Sequence, residues 1–263
     1  VAQKAGTFSL HVWCNPDGRE RERLPGSPFN LSVSEGQANA SGCFIKGADA
    51  LRELQQTEGP SPAGQEISLH PQLRDQFGNA SSASEGALTA SLEGPFTGES
   101  ELPVRSLPSG LGTYEVGYTP ELQGDYVLHI RLHGTAISDS PVRFSVMCGV
   151  PNGTKSRLLP VTEPLFVGQP IGIVLEAVDK FGNKIDRGGA NVGARAAGNA
   201  ASACTVDDNQ DGTYTIRFTQ NAAGDCKVIA RIDNMELAPM LVTITSKDGK
   251  GTKERPQAAV GAP

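Results

Sequence analysis

Asp207, Asn209, Asp211 and Gly212 set three oxygen-bearing side chains at alternate positions before a glycine, as in the opening of an EF-hand calcium loop. That loop also needs a bidentate Glu at its twelfth position and a helix beyond it. The twelfth residue is Phe218, inside a pattern that alternates like a strand. The four residues therefore read as a hairpin turn leading to Tyr214, and no metal is expected. His129 and His133 fall four apart in a second alternating stretch. On a strand they would share a face about 13 Å apart, too far to chelate one ion, so solvated histidines are expected. The chain has no Gly-Lys-Ser phosphate loop, serine elbow, helical His-Glu pair or convergent carboxylate pair. We expect no catalytic residue, no cofactor and no enzyme in this segment, although a longer parent chain could carry motor ATPase activity elsewhere.

The five cysteines, Cys14, Cys43, Cys148, Cys204 and Cys226, are odd in number and do not recur at equivalent places. We read them as reduced thiols of an intracellular protein, with a Cys204–Cys226 bridge as the alternative. Sequons at Asn30, Asn39, Asn79 and Asn152 favour the competing reading, an extracellular adhesion segment. The net charge is −6, and the arginines at 19, 21 and 23 are interleaved with Glu20 and Glu22, which excludes a nucleic-acid face. No apolar run approaches the roughly 20 residues that span a bilayer, so no membrane partner is expected. Val1 starts inside a strand-like pattern with neither initiator Met nor signal peptide, so a longer parent chain is expected. Trp13 lies on the outward phase of its strand, against the rest of its own domain or a partner.

The elements that hold these residues come in copies. Asp75-Gln76-Phe77-Gly78-Asn79 returns at Asp179-Lys180-Phe181-Gly182-Asn183, 179 − 75 = 104 positions on. Gly112-Thr113-Tyr114 returns at Gly212-Thr213-Tyr214, and Gly124-Asp125-Tyr126 at Gly224-Asp225-Cys226, each 100 positions on. A period of about one hundred residues is a whole domain. Around these words, period-two alternation predicts strands: Tyr114, Val116, Tyr118; Tyr126, Leu128, Ile130, Leu132; Val142, Phe144, Val146; and, in the next copy, Tyr214, Ile216, Phe218 and Cys226, Val228, Ala230, Ile232. Near the start, Phe8, Leu10 and Val12 follow Gly6 as Tyr126, Leu128 and Ile130 follow Gly124, with a longer charged hairpin over 15–23 before Ser27-Pro28. We expect closing strands of a truncated repeat at 1–36, full repeats at 38–148 and 149–246, and a linker or disordered tail at 247–263. Helix should be scarce.

The words Asp208-Asn209-Gln210-Asp211-Gly212-Thr213-Tyr214, Gly124-Asp125-Tyr126 and Pro25-Gly26-Ser27-Pro28-Phe29 together resemble the filamin-type immunoglobulin repeat. The resemblance covers nearly all of 1–246. It departs at Leu237-Ala238-Pro239-Met240, where Gly-Ser-Pro-Phe would be expected, and at Ser109-Gly110-Leu111. It implies an all-β fold of tandem immunoglobulin-like (filamin-type) antiparallel β-sandwiches. Such repeats occur in actin crosslinkers, in ubiquitin ligases with a β-propeller, in gamete surface proteins, and in the tail of an algal outer-arm axonemal dynein heavy chain. The resemblance implies a spacer and docking module of a large cytoplasmic, cytoskeletal protein, with a cilium or axoneme among its locations and protein partners such as other subunits of an assembly. It also implies that a ligand adds a strand beside the third strand of a repeat. In the first full copy that stretch is Ala87, Leu88, Thr89, Ala90, Ser91 and Leu92, which lacks Pro, Lys or a bulge-forming Gly to guard an edge, so we expect the docking edge there. The bland alternative is an edge covered by 100–107 or by the neighbouring domain. The second copy's stretch, 193–198, has little apolar surface and glycines at both ends, and reads as the poorer groove.

Overall fold

The computed structural model describes residues 3–15, 21–108, 110–198 and 200–246. Residues 16–20 of the charged hairpin and the expected tail 247–263 lie outside the described residues. The chain divides into two compact units, Val1–Met147 and Cys148–Pro263.

The first unit opens with β1 (Gly6–Leu10), β2 (Trp13–Cys14), β3 (Glu22–Arg23) and β4 (Phe29–Val33). β1 and β4 form an antiparallel ribbon from Gly6↔Val33 to Leu10↔Phe29. Phe8 faces Leu31 and Leu10 faces Phe29 across it, and all four are 40–46% exposed. Trp13 is exposed too, with the Arg23 guanidinium 5.2 Å from its ring. Then come β5 (Phe44–Lys46), α1 (Ala48–Thr57), β6 (Ser61–Pro62), β7 (Ile67–Gln72), β8 (Leu88–Glu93), β9 (Ser100–Leu102), β10 (Val104–Ser106), β11 (Tyr114–Tyr118), β12 (Gly124–Leu132), β13 (Thr135–Ala136) and β14 (Val142–Met147). They make a sandwich with one sheet in the order β10-β11-β7-β5 and the other β6-β14-β12-β8-β9, β13 folding back on β12. The alternating residues Tyr126, Leu128, Ile130, Leu132, Phe144 and Val146 are buried with Leu69, Leu73 and Val116. Each such side chain contributes about 1.5–3 kcal/mol by leaving water. His133 falls beyond β12, at φ 49, and so does not share a strand face with His129.

The ten-residue helix α1 accords with the expectation that helix is scarce, and it falls where the sequence assigned no element. Ala48 and Leu51 turn inward at the i, i+3 spacing of a helical face, and Arg52 pairs with Asp49 at 2.6 Å. Gln55 reaches the edge of β14: its Nε2 donates to Ser145 O and its Oε1 accepts from Ser145 N, both at 2.9 Å. A side-chain amide thus satisfies one donor and one acceptor of that edge as a neighbouring strand would.

The second unit holds β15 (Arg157–Leu158), β16 (Leu165–Phe166), β17 (Pro170–Glu176), β18 (Val192–Gly198), β19 (Thr205–Asp208), β20 (Thr213–Thr219), β21 (Gly224–Ile232), β22 (Met235–Glu236) and β23 (Met240–Thr245). Its sheets run β15-β17-β20-β19 and β16-β23-β21-β18, with β22 on β21. The core is built from Ile171, Ile173, Leu175, Tyr214, Ile216, Phe218, Val228 and Ile232. Here the residues between β15 and β16 form no helix.

Both copies of the Asp-x-Phe-Gly-Asn word close one motif. Gly78 (φ 83) and Gly182 (φ 96) take the left-handed conformation that makes the reversal. The buried Asp75 carboxylate accepts from Phe77 N (2.9 Å), Asn79 N (2.9 Å) and Asn79 Nδ2 (2.8 Å), and from Gly36 N (2.9 Å) in the segment that enters the sandwich. Asp179 does the same with Phe181 N, Asn183 N and Gly149 N (each 2.9 Å) and Asn183 Nδ2 (2.8 Å). The Asn79 amide and then the backbone N–H groups hold the Asp75 carboxyl down at about 2. At Asp179 burial pushes upward, but the Asn183 amide and backbone donors outweigh it and the carboxyl stays below its ordinary range.

Candidate docking edge

The stretch Ala87, Leu88, Thr89, Ala90, Ser91 and Leu92 forms β8 and its lead-in, but it is not an open edge. β12 pairs along one side of β8, and β9 pairs along the other: Ala90↔Leu102, Ser91↔Glu101, Leu92↔Ser100. His133 N donates to Ala87 O, which puts the odd-numbered residues of β8 in the bonds to β12, and the ladder groups an added strand would need at Ala90 and Leu92 face the chain's own return. This corrects the expected site. The covering strand falls within 100–107, the alternative the sequence offered, and its signal is the short Ser-Glu-Leu alternation between Gly98 and Pro103.

The third strand of the second unit is the open one. β18 runs seven residues against β21, from Val192↔Ile232 to Gly198↔Cys226, and no strand of the described residues pairs with its other side. Asn191 O accepts from Asp233 N at 2.8 Å, which puts the odd-numbered residues in the bonds to β21. Val192, Ala194, Ala196 and Gly198 therefore turn their N–H and C=O toward the free side; the Ala196 backbone there bonds the Cys204 thiol. Val192, Ala194 and Ala196 are half-buried on the core side, next to Cys204 and Val206. The small residues that made this segment look unpromising put little side-chain bulk along its edge, which Cys204 touches at Ala196, and no Pro or Lys guards it. On the outer face Gly193, Arg195, Ile229, Arg231 and Glu236 line a depression of about 330 Å³.

The other chemistry-bearing groups are engaged in the fold. Glu93, Glu99 and His129 bring their ligand atoms within 4.8 Å of one another. Yet Glu99 accepts from the Ser91 hydroxyl and from Arg131 Nη1, which hold its carboxyl low, and His129 Nε2 lies 3.1 Å from Glu93 Oε1. The cation of this cluster is an arginine. In the Asp207–Gly212 turn, Asp208 accepts from Gly189 N and Gln210 N, and Asp211 from Thr213 N and Oγ1. Those carboxylates pin a hairpin. All five cysteines are free thiols, with Cys43, Cys148 and Cys226 buried. Burial pushes the Cys43, Cys148, Cys204 and Cys226 thiols up, against reactivity.

No helix among the described residues is long and apolar enough to cross a membrane. The chain is 26% identical over 245 residues to Filamin-C of Rattus norvegicus, and 26% identical over the same length to Filamin-C of Mus musculus. The match covers 86% of this chain and 8% of each relative, so the chain spans a small part of their length. Among solved structures, the Escherichia coli adhesin FdeC superposes with a TM-score of 0.51 at 19% identity, covering 92% of this chain and 74% of that one, a likeness of fold alone. The sequence model of the Filamin/ABP280 repeat matches residues 37–143 and 151–240. Those two matches span most of the chain and coincide with the two sandwiches, and the chain belongs to the Filamin/ABP280 repeat family.

Proposed function

We propose that this chain is a non-catalytic spacer and docking module of a large cytoplasmic, cytoskeletal protein, and that it holds protein partners by strand addition on β18. A filamin-type repeat serves protein–protein interaction, and the observation that favours this edge is the one-sided pairing of β18. Main-chain groups of Val192, Ala194 and Gly198 supply affinity without regard to sequence, and the pockets between alternate side chains supply selectivity. The narrower placement, an axonemal dynein tail in a cilium, rests on the style of the Asp-x-Phe-Gly-Asn words and a composition rich in Ala, Gly and Arg; localising the tagged parent protein tests it.

Residues 1–36 we assign to a further repeat, ahead of repeats at 38–148 and 149–246. Phe8 and Leu31 hold the positions of the buried Tyr126 and Phe144, so their exposed face is the one the remaining strands of that repeat cover.

Replacement of Ala194 by Pro tests the edge. It removes a donor on the free side and none from the bonds to β21, so the fold is kept and partners captured by the wild-type chain are lost. Capture of the same partners by a folded Ala194→Pro protein would refute docking on β18.

A further inference from the structure

Arg131 on β12 and Arg231 on β21 hold the same place in the two repeats: each is the penultimate residue of its strand, opposite Thr89 on β8 or Gly193 on β18. Arg131 is engaged. Its Nη1 donates to Glu99 Oε1 at 3.2 Å and to Ser91 Oγ at 3.1 Å, and Glu99 immediately precedes β9, the strand that covers the β8 edge. Carboxylate and covering strand arrive together, the carboxylate on the arginine and Leu102 opposite Ala90.

The second unit has the receiving half of this arrangement without the arriving half. Its edge is uncovered, and neither Arg195 nor Arg231 forms an ion pair or side-chain hydrogen bond with a described residue. Between them stands Gly193, where a Cβ would lie 2.9 Å from Arg231 Nε, so the missing side chain lets the Arg231 guanidinium lie over β18. Arg195 is exposed at the position that Ser91 holds in the first unit. Glu236 stands opposite Arg231 on β22, but no ion pair links them. On the core side, Ala194, Ala196, Cys204 and Val206 are half-buried against the core, an apolar lining for the neighbour an added strand would bring.

We propose that the β18 edge takes an acidic extended segment, with an apolar side chain seated opposite Ala194 and a carboxylate received by Arg195 and Arg231. This rests on the edge-docking reading and adds the chemistry of the partner. Bidentate arginine–carboxylate pairing gives both direction and register to a strand that main-chain bonds alone would hold in several registers. The chain's net charge of −6 does not oppose it at contact range, because salt screens charges beyond about 8–10 Å.

Three twelve-residue peptides that alternate Leu with Glu, Thr or Lys, titrated into the full chain, test this. Amide shifts of Val192, Ala194 and Ala196 report the place, and dissociation constants at low and high salt report the charge. We expect the Glu peptide to bind about tenfold more tightly than the Thr peptide at low salt, the Lys peptide least, and the preference to shrink as salt rises. The double variant Arg195→Ala/Arg231→Ala should abolish the preference and leave the Thr peptide unchanged, and Ala194→Pro should weaken every peptide. Equal binding of the Glu and Thr peptides, both lost in Ala194→Pro, would overturn the acidic partner and leave edge docking standing. Absence of shifts at β18 with any peptide, or Glu-peptide binding indifferent to Ala194→Pro, would overturn edge docking and the acidic partner with it.

Discussion

Replacing Asp179 with Ala removes an acceptor that serves four donors from a fully buried position. Gly149 N and the two Asn183 donors lie among buried residues and would be stranded there. At about 1–1.5 kcal/mol for each of these three, and less for Phe181 N, which water can reach, the loss comes to about 4 kcal/mol. That is a large share of the roughly 5–15 kcal/mol that holds a domain together. Hydrogen exchange by mass spectrometry on the full chain reads it directly. Core amides of the second unit, over Thr213–Thr219 and Gly224–Ile232, should exchange about a thousandfold faster, and those over Gly124–Leu132 in the first unit at their former rate. The same carboxylate carries a pH signature. Its folded pKa is lowered, so its stabilisation is fully present above the ordinary aspartate value of about 3.9 and is lost as pH falls through the folded value. Asp75, held at about 2, puts the corresponding loss in the first unit between about pH 4 and pH 2. Acid unfolding of the second unit should lose part of its steepness in Asp179→Ala. A change under about 1 kcal/mol, or equal acceleration in both units, would refute the claim that this carboxylate ties the second sandwich to its own incoming segment.

Gly212 sits at φ 80 with the Ile185 carbonyl where its Cβ would be, so Gly212→Ala should cost about 3 kcal/mol or more and lower the melting temperature of the second unit alone, as calorimetry would show. Thiol titration under denaturing, non-reducing conditions should return five equivalents; a count of one, with glycans on Asn79 or Asn152, would reverse the cytoplasmic assignment.

Much of the sandwich was legible because its strands obey one rule. Tyr126, Leu128, Ile130 and Leu132 alternate in the sequence and are buried in the structure, and Cys226, Val228, Ala230 and Ile232 do the same one period later. The Asp-x-Phe-Gly-Asn word announced its turn through the two residue types a reversal needs. What it could not announce was the fourth donor, since Gly36 and Gly149 lie 39 and 30 positions upstream of the aspartates they reach. The stretch that forms α1 was given no element, although Ala48, Leu51 and Leu54 are spaced for a helix, because it has no counterpart word in the second repeat. The sequence left the β8 edge open or covered by 100–107, and could not choose between the two for a physical reason. Local alternation tells whether a stretch is a strand, whereas the freedom of its edge depends on whether another strand returns to it, and Ser100–Leu102 returns to β8 while no described strand pairs with the free side of β18. Glycine and alanine, poor strand formers by propensity, were discounted at the very edge where small side chains leave approach unhindered.

The clasp of Asp75 on Gly36 and of Asp179 on Gly149 also bears on how such a chain carries tension. A pull on the segment ahead of Gly149 meets the buried Cys148 and then the Asp179 carboxylate before it meets any paired strand, because Gly149 N is bonded to that carboxylate and the bridge Pro151↔Asp179 follows at once. The load passes into a turn braced by three further bonds of the same carboxylate and from there into β17, bypassing β15 and β16. Each sandwich thus carries a small buckle at its own threshold, one that yields to a proton as well as to force.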